Sequence, residues 1–205
     1  MSNAGETVVG VDLEALRTDF ESDAFAERTV LVTGGAGFIG SWLCDFLVSV
    51  GARVICVDDL STGLSKNLAH LRTSSRFKLV KSDVTKALPA IEEGDMIFHL
   101  ASHPSPDEYQ KHPVETLVAN SAGTQNMLEV ARRGDALLLF ASSSEVYGDA
   151  RVVPTPETYW GNVNPVGLRS CYDEGKRFGA ALCMAYNRAY GVDVRIARIF
   201  NTYGP

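Results

Sequence analysis

Residues 29–40, TVLVTGGAGFIG, give the clearest indication of the fold. Its first five residues form a short apolar run that is typical of a buried strand, and a helical pattern follows the glycines. Glycines at this spacing permit a tight turn, close approach of the backbone to a pyrophosphate, and close packing of the helix on the strand. The helix N-terminus then attracts the phosphate charge. The predicted cofactor contacts of this turn are Gly34, Gly37, Phe38, Ile39 and Gly40. The alternative is an ordinary strand-to-helix turn in which the glycines serve packing only.

An acidic residue follows the next predicted strand where a dinucleotide site needs one. Asp58 directly follows the apolar run RVICV, residues 53–57. Its distance from Gly40 in the chain is close to the ~20-residue spacing expected of a ribose-binding carboxylate. A carboxylate there repels the 2′-phosphate of NADP, so we expect NAD as the cofactor. Asp59 is the second candidate for the same role.

Strand-like and helix-like segments alternate along the chain. The strand-like runs are 29–33, 53–57, 77–80, 95–100, 136–141 and 192–199, and the main helical patterns are 38–50, 113–133 and 171–190. The strands are continuously apolar, as expected when helices cover both faces of a sheet. The pattern therefore predicts an α/β fold with a doubly wound parallel sheet of the Rossmann type.

Composition limits the classes of protein and partner. The 205 residues are 45% apolar and 21% charged, which allows one well-buried core. A formal net charge of −6 argues against a nucleic-acid partner. No apolar run approaches the ~20 residues that span a bilayer, and the N-terminus lacks a signal-peptide pattern, so we expect no membrane partner. Four scattered cysteines favour a reducing compartment, with a cytoplasmic location as the default.

The character of the sequence changes at residue 28. Residues 1–27 are predicted to be an acidic N-terminal extension, and residues 28–205 the cofactor-binding domain that carries every motif. The Gly- and Pro-containing segment 148–170 is the one long irregular stretch, and long loops inside compact domains are often functional. His99 has no second ligand at metal spacing, so we expect a packed core histidine and no metal site.

Further candidates for cofactor contact follow the third and fourth predicted strands. Asp83 and Val84 come after the third strand, where the carboxylate would either accept from an adenine amino group or cap the following turn. Leu100, Ala101 and Ser102 come after the fourth strand, where small residues would let a cofactor cross the sheet edge.

Tyr172 and Lys176 lie four residues apart on a predicted helix and therefore share one face. A tyrosine with its ordinary pKa of ~10 is a poor base at neutral pH, but a neighbouring ammonium and a nicotinamide cation would lower that pKa. The pair is thus a candidate general base for an alcohol. Ser143 follows the fifth strand, at the sheet edge where active-site groups gather, and its hydroxyl would bind the oxygen of the substrate.

Together these motifs resemble the extended branch of the short-chain dehydrogenase/reductase family over residues 28–205. The resemblance implies NAD as a recycled redox centre and a nucleotide sugar as the substrate. It assigns the glycines and Asp58 to the dinucleotide, Asn120 to bracing the sheet beside the cofactor, and Ser143, Tyr172 and Lys176 to catalysis. The segment 198–205, RIFNTYGP, resembles a family motif whose Asn, here Asn201, contacts the substrate diphosphate.

Within that family, segments 159–177 and 101–106 are similar to UDP-glucuronate decarboxylases. Sugar 4,6-dehydratases carry an Asp-Glu pair where this chain has Ser144-Glu145, and one carboxylate without its partner fits decarboxylation better than dehydration. The substrate contacts that the resemblance implies are Ser105, Pro106, Ser143, Ser144, Glu145, Tyr172 and Asn201. Departures from the usual pattern are Ser143 in place of Thr, His103-Pro104 in place of Pro-Ala, and Leu168 in place of Pro.

The resemblance implies a lyase of the carboxy-lyase type. Tyr172 takes the proton of the sugar 4-hydroxyl, the 4-keto sugar loses carbon dioxide, Glu145 orients water or assists protonation at C5, and the ketone is reduced again to UDP-xylose. One alternative is a UDP-sugar 4-epimerase. The other is a cofactor-binding module without turnover, because the resemblance leads us to expect that the family's C-terminal substrate domain is largely absent. A homodimer through helices 113–133 and 171–190 is also expected from the resemblance.

Overall fold

A computed structural model describes residues 4–19, 24–86 and 94–204 of the chain. Its strands are β1 (Thr29–Thr33), β2 (Arg53–Asp58), β3 (Phe77–Lys81), β4 (Met96–His99), β5 (Leu137–Ser143) and β6 (Val194–Ile199). Its helices are α1 (Ala4–Asp19), α2 (Phe38–Ser49), α3 (Pro106–Lys111), α4 (Pro113–Val118), α5 (Thr124–Gly134) and α6 (Ser170–Tyr190). Shorter helical segments are Ser65–Leu68, His70–Thr73 and Ser144–Tyr147, and a π-helical turn, Ala119–Gly123, joins α4 to α5.

The six strands form one sheet in the order β3-β2-β1-β4-β5-β6, and every pair is parallel. The chain runs outward from β1 to β3, returns to place β4 on the other side of β1, and continues to β6. The order therefore reverses between β1 and β4, the position at which doubly wound sheets open a crevice for ligands. This topology confirms the predicted Rossmann-type sheet.

Successive side chains of β1 point to opposite faces of the sheet, and each face has its own hydrophobic core. Val30 and Val32 pack with Cys44 and Leu47 of α2 on one face. Leu31 belongs to the core of the opposite face, together with residues of α5 and α6. Burial on both faces explains why the strands read as uninterrupted apolar runs.

A hydrogen-bond chain through His99 joins β1, β4 and the π-helical turn. Thr124 Oγ1 donates to the carbonyl of Asn120 at 2.8 Å, so the same oxygen accepts from His99 Nε2–H at 3.2 Å. Nδ1 of His99 then accepts from Thr33 Oγ1 at 2.7 Å. Thr33 Oγ1 in turn accepts from the backbone N–H of Ala101 at 3.2 Å. The chain ties the carboxyl ends of the two strands that flank the crevice.

His99 stays neutral in this chain. It is 1% exposed, and burial, with a smaller contribution from the charge of Lys176, lowers the pKa of its imidazole to about 3. The prediction of a packed core histidine is confirmed. Among the described residues, no group of three or more His, Cys, Asp or Glu side chains is arranged to hold a metal ion.

The structure departs from the sequence prediction mainly in the helices. The single predicted helix over 113–133 contains the π-helical turn at Ala119–Gly123, and α3 was not predicted. Strand boundaries shift by up to two residues, as at β5, which extends to Ser143. In the described ranges, no helix combines the length and apolar character needed to cross a membrane.

The His99 chain predicts a site-specific stability loss. Thr33→Val removes the hydroxyl partner of the buried His99 Nδ1 and of the partly buried N–H of Ala101. We therefore expect the free energy of unfolding to fall by about 2 kcal/mol in urea titrations. Thr29→Val, the same change at the partly buried start of β1, is the control and should cost less than about 0.5 kcal/mol. Equal losses in both variants would contradict the role of the hydroxyl.

Candidate active site

A cavity of about 840 Å³ opens at the carboxyl edge of the sheet. Loops after β1, β2, β3, β4, β5 and β6 and the first turns of α6 line it. The predicted site residues that line it are Gly34, Gly37, Phe38, Ile39, Gly40, Asp58, Asp59, Asp83, Val84, Leu100, Ala101, Ser102, Ser105, Pro106, Ser143, Ser144, Glu145, Tyr172, Lys176 and Asn201. Residues proposed for cofactor, substrate and catalysis thus share one cavity, because parallel strands bring their carboxyl ends to one edge.

The turn after β1 has no room for side chains. Gly34 has φ +71°, and a Cβ on it would lie 2.8 Å from the backbone nitrogen of Ala101. A Cβ on Gly40 would lie 2.2 Å from the carbonyl oxygen of Gly34. Gly37 begins α2 without a side-chain cap, so side chains do not occupy the first N–H groups of that helix. The turn is therefore a narrow backbone surface suited to an anion.

The two predicted ribose-binding carboxylates differ in their surroundings. Asp58 is 7% exposed, and its two oxygens accept from the N–H groups of Ala36 at 2.9 Å and Leu60 at 2.8 Å. Burial raises the pKa of Asp58, and these two donors partly oppose that rise. Asp59 is exposed and accepts from the N–H and hydroxyl of Ser61. Asp58 thus ties the glycine turn to the loop after β2 and still lines the cavity.

Two other predicted ligand contacts also have local structural partners. Asp83 accepts from the N–H of Thr85 at 2.9 Å and from its hydroxyl at 2.8 Å, so its carboxylate caps the turn that follows β3. Ser105 caps α3, with its Oγ accepting from the N–H of Glu108 at 3.3 Å. Both side chains remain part of the cavity wall.

Asn120 differs from the other predicted cofactor residues because it does not line the cavity. It is 1% exposed in the π-helical turn and donates to Ser102 Oγ at 3.0 Å and to the carbonyl of Thr116 at 2.9 Å. Its Oδ1 is buried without a partner in the described structure. Asn120 therefore supports the loop after β4 from behind, through Ser102, which faces the cavity.

Lys176 is 3% exposed, and its Nζ donates to the carbonyl of Ala141 at 2.9 Å. The ammonium lies 5.2 Å from the ring centre of Phe140 and 5.6 Å from that of Tyr172. Burial lowers the pKa of Lys176 to about 7. The ring of Tyr109 stacks on that of Tyr172 at 5.1 Å between centres.

The pKa of Tyr172 moves in the direction opposite to the expectation from the sequence. Burial raises it most, hydrogen bonding to Ser143 lowers it, and the acidic groups of Glu145, Tyr109 and Asp173 raise it further. The expectation that a neighbouring ammonium lowers this pKa was wrong for the protein's own charges, because the pair is buried among acidic groups. Ser143 is the side chain that favours the phenolate.

An ion pair borders the cavity beside Tyr172. Arg169 Nη2 donates to Glu145 Oε2, and both residues line the cavity. Asp173 lies near this pair, and its buried Oδ1 has no partner among the described residues. Burial, opposed by the charge of Arg169 and assisted by Glu145 and Glu174, raises the pKa of Asp173 to about 6.

Three residues of this region were missed in the sequence: Tyr109, Arg169 and Asp173. Arg169 and Asp173 flank Tyr172 in the chain, so their proximity to the catalytic candidate was a usable signal. Tyr109 gives no such signal, since its stacking on Tyr172 joins α3 to α6 across a long stretch of sequence.

Titration of Lys176 should be visible in stability. Its pKa is lower in the folded chain, so the cost of burying it is fully present below about pH 7 and falls as pH rises toward the ordinary lysine value of ~10.4. We therefore expect the free energy of unfolding of Lys176→Met, minus that of wild type, to fall by about 2 kcal/mol between pH 6 and pH 9 in urea titrations. Lys66→Met, at an exposed position, is the control. A pH-independent difference for Lys176→Met would contradict the prediction.

Two curated relatives are similar to most of this chain. UDP-glucuronic acid decarboxylase 1 of Arabidopsis thaliana is 54% identical over 176 residues, covering 86% of this chain and 40% of that protein. UDP-glucuronic acid decarboxylase 1 of Xenopus tropicalis is 51% identical over 178 residues, covering 87% of this chain and 42% of that protein. The chain therefore spans less than half the length of these two relatives.

Solved structures agree on the fold. The crystal structure of a UDP-galactose 4-epimerase superimposes with a TM-score of 0.71 at 36% identity, covering 83% of this chain and 55% of that one. Residues 30–205 match the description of the NAD dependent epimerase/dehydratase family. The glycine turn, the Rossmann-type sheet and this match agree, and the chain belongs to the NAD dependent epimerase/dehydratase family.

Proposed function

We propose that this chain carries the cofactor site and the catalytic residues of an NAD-dependent decarboxylase that converts UDP-glucuronate to UDP-xylose through a 4-keto intermediate. The observation that carries the proposal is the single cavity that joins the glycine turn to Ser143, Glu145, Tyr172 and Lys176. The names of the decarboxylase relatives support the choice of substrate. Glu145 follows Ser144 rather than a second carboxylate, which favours loss of carbon dioxide over loss of water.

The residues of the cavity fit NAD. The turn at Gly34 carries no side chain, so a pyrophosphate could approach its backbone closely. The N-terminus of α2 has no side-chain cap, and its N–H groups could donate to the phosphate oxygens. Asp58 and Asp59 line the cavity and would hold the ribose, and the small residues Ala101 and Ser102 would let the cofactor cross the sheet edge. NAD held by these residues would supply a reversible hydride acceptor, so the reaction would consume no net oxidant.

Tyr172 is the proton acceptor of the first step. Its phenolic oxygen takes the proton of the sugar 4-hydroxyl while C4 is oxidised, and the hydroxyl of Ser143 stabilises the developing ketone oxygen. Lys176 holds its ammonium on the ring face of Tyr172 and on the carbonyl of Ala141. Its lowered pKa, near 7, lets that amine exchange a proton at neutral pH.

Decarboxylation follows from the chemistry of the ketone. The C5–carboxylate bond breaks, carbon dioxide leaves, and its electron pair forms an enolate whose oxygen is held by Ser143 and Tyr172. One proton from solvent must then reach C5, since each turnover replaces a carboxylate by a hydrogen. Glu145 lines the cavity at the end of β5 and is the residue that orients this water or donates the proton. Tyr172 finally returns its proton as C4 is reduced.

The domain limits, assembly and location follow as parts of the same proposal. Residues 28–205 form the cofactor-binding domain, and residues 1–27 an N-terminal extension. Val114 and Leu117 of α4 and Phe178 of α6 are exposed apolar side chains on helices that pack together, which supports a homodimer through 113–133 and 171–190. All four cysteines are buried and unpaired, which supports a reducing compartment such as the cytoplasm.

Cofactor choice depends on Asp58. We expect NAD to bind at least ~10-fold more tightly than NADP, and Asp58→Asn to narrow that ratio because the mutation removes the charge that repels a 2′-phosphate. Asp59→Asn is the matched control and should leave the ratio within about twofold. Isothermal titration calorimetry with both cofactors measures the effect, and the opposite ranking of the two variants would move the ribose contact to Asp59.

The reaction itself is tested with UDP-glucuronate and NAD. We expect release of carbon dioxide and formation of UDP-xylose, while Tyr172→Phe binds NAD normally and loses at least ~100-fold in turnover. Formation of UDP-galacturonate would instead identify a 4-epimerase, the activity named for the structural neighbour. Binding of NAD without turnover would identify a cofactor-binding module.

A further inference from the structure

Arg169 carries the one guanidinium among the described residues that line the cavity. Lys176 also lines the cavity, but its ammonium is buried and bound to the carbonyl of Ala141. The side chain of Arg169 is half exposed at the entrance to α6, and its Nη2 donates to Oε2 of Glu145. The guanidinium on this part of the cavity wall is therefore engaged with the carboxylate assigned to C5.

The backbone of Arg169 is tied to that of the catalytic tyrosine. Its carbonyl oxygen accepts from the N–H of Tyr172 and of Asp173, both at 3.0 Å, in the first turn of α6. Glu145 comes from a different element, the short helix after β5, where its N–H donates to Ser143 Oγ at 3.3 Å. The ion pair thus bridges the two elements that supply the proposed catalytic residues.

Several acidic groups lie beside the guanidinium of Arg169 and interact with its charge. Asp173 and Tyr109 contribute acidic groups beside it, and Glu174 adds a further carboxylate near Asp173. The guanidinium pairs with Glu145, whereas Oδ1 of Asp173 is left buried without a partner. The pairing therefore selects one carboxylate out of an acidic cluster and holds it on the cavity wall.

We propose that Arg169 is a positioning residue that holds the carboxylate of Glu145 in the orientation needed for proton delivery at C5. The inference rests on the proposed decarboxylation, because C5 protonation is the step that needs Glu145. The ion pair is half exposed and adds little to folding, so its effect belongs to the placement of the carboxylate. Arg169 acts through Glu145 and has no contact of its own with the sugar in this proposal.

A double-mutant cycle distinguishes an action of Arg169 through Glu145 from a direct contact of Arg169 with the sugar. We expect Arg169→Gln to lower kcat by about 10- to 100-fold with KM and NAD affinity within about twofold, since a misplaced group can cost that much. In the Glu145→Gln background the same substitution should have less than a twofold effect on kcat, because the proposed route through the Glu145 carboxylate is gone. Arg169→Lys keeps the charge without the planar fork and should restore part of kcat. Arg132→Gln, which breaks an exposed ion pair with Glu129 on α5, is the control and should keep wild-type kcat.

Additive losses in the cycle would overturn the proposal, because they would place Arg169 on the substrate. Wild-type kcat in Arg169→Gln would overturn it as well. If the wild-type chain releases no carbon dioxide, the proposed decarboxylation is wrong. NMR of the carboxyl groups then tests the pairing of Arg169 with Glu145 independently of activity. By NMR, Arg169→Gln should raise the pKa of Asp173 above its value of about 6, because it removes the opposing charge, and it should shift the Glu145 carboxyl resonance. An unchanged pKa of Asp173 together with an unshifted Glu145 carboxyl resonance would overturn the placement.

Discussion

The close approach of the turn after β1 to the end of β4 is the constraint on which the site depends. Gly34 lies so near the backbone of Ala101 that a side chain at this point would displace one strand from the other. Thr33 and His99, the last residues of the same two strands, are held together by a buried hydrogen bond of 2.7 Å. The crevice of the sheet therefore opens beyond a point where β1 and β4 are held together. The loops that we propose to bind cofactor and substrate start on either side of this point.

Charge burial sets the chemistry at the other end of the cavity. Lys176 is buried with a pKa lowered to about 7, and Tyr172 has a pKa raised by burial and by its acidic neighbours. These shifts bring the lysine toward neutral pH and leave the tyrosine protonated, so proton transfer from an alcohol depends on groups that bind beside them. Glu145 and Asp173 keep the region acidic, and Arg169 offsets part of that charge. The burial and charges around Lys176 and Tyr172 therefore determine which of their groups carry a proton.

Sequence reasoning succeeded where the signal was local. β1 was predicted to the residue over 29–33, because an uninterrupted apolar run between a polar segment and a glycine turn has one consistent interpretation. The pairing of Tyr172 with Lys176 followed from helical spacing. The helix over 113–133 was predicted without its π-helical turn, which has no simple sequence signal. Arg169 was missed because its partner lies on another element, and such contacts exist only once the sheet has assembled.

One cavity joins the glycine turn to the loops after β4 and β5 and to the start of α6, and we propose that NAD spans it. Hydrogen–deuterium exchange with and without NAD tests it directly, because protection reports contact at each loop separately. We expect NAD to protect backbone amides in 33–40, in 99–106 and in 142–148 together. Protection confined to 33–40 would contradict the claim, since it would place the cofactor on the turn alone and away from the proposed catalytic residues.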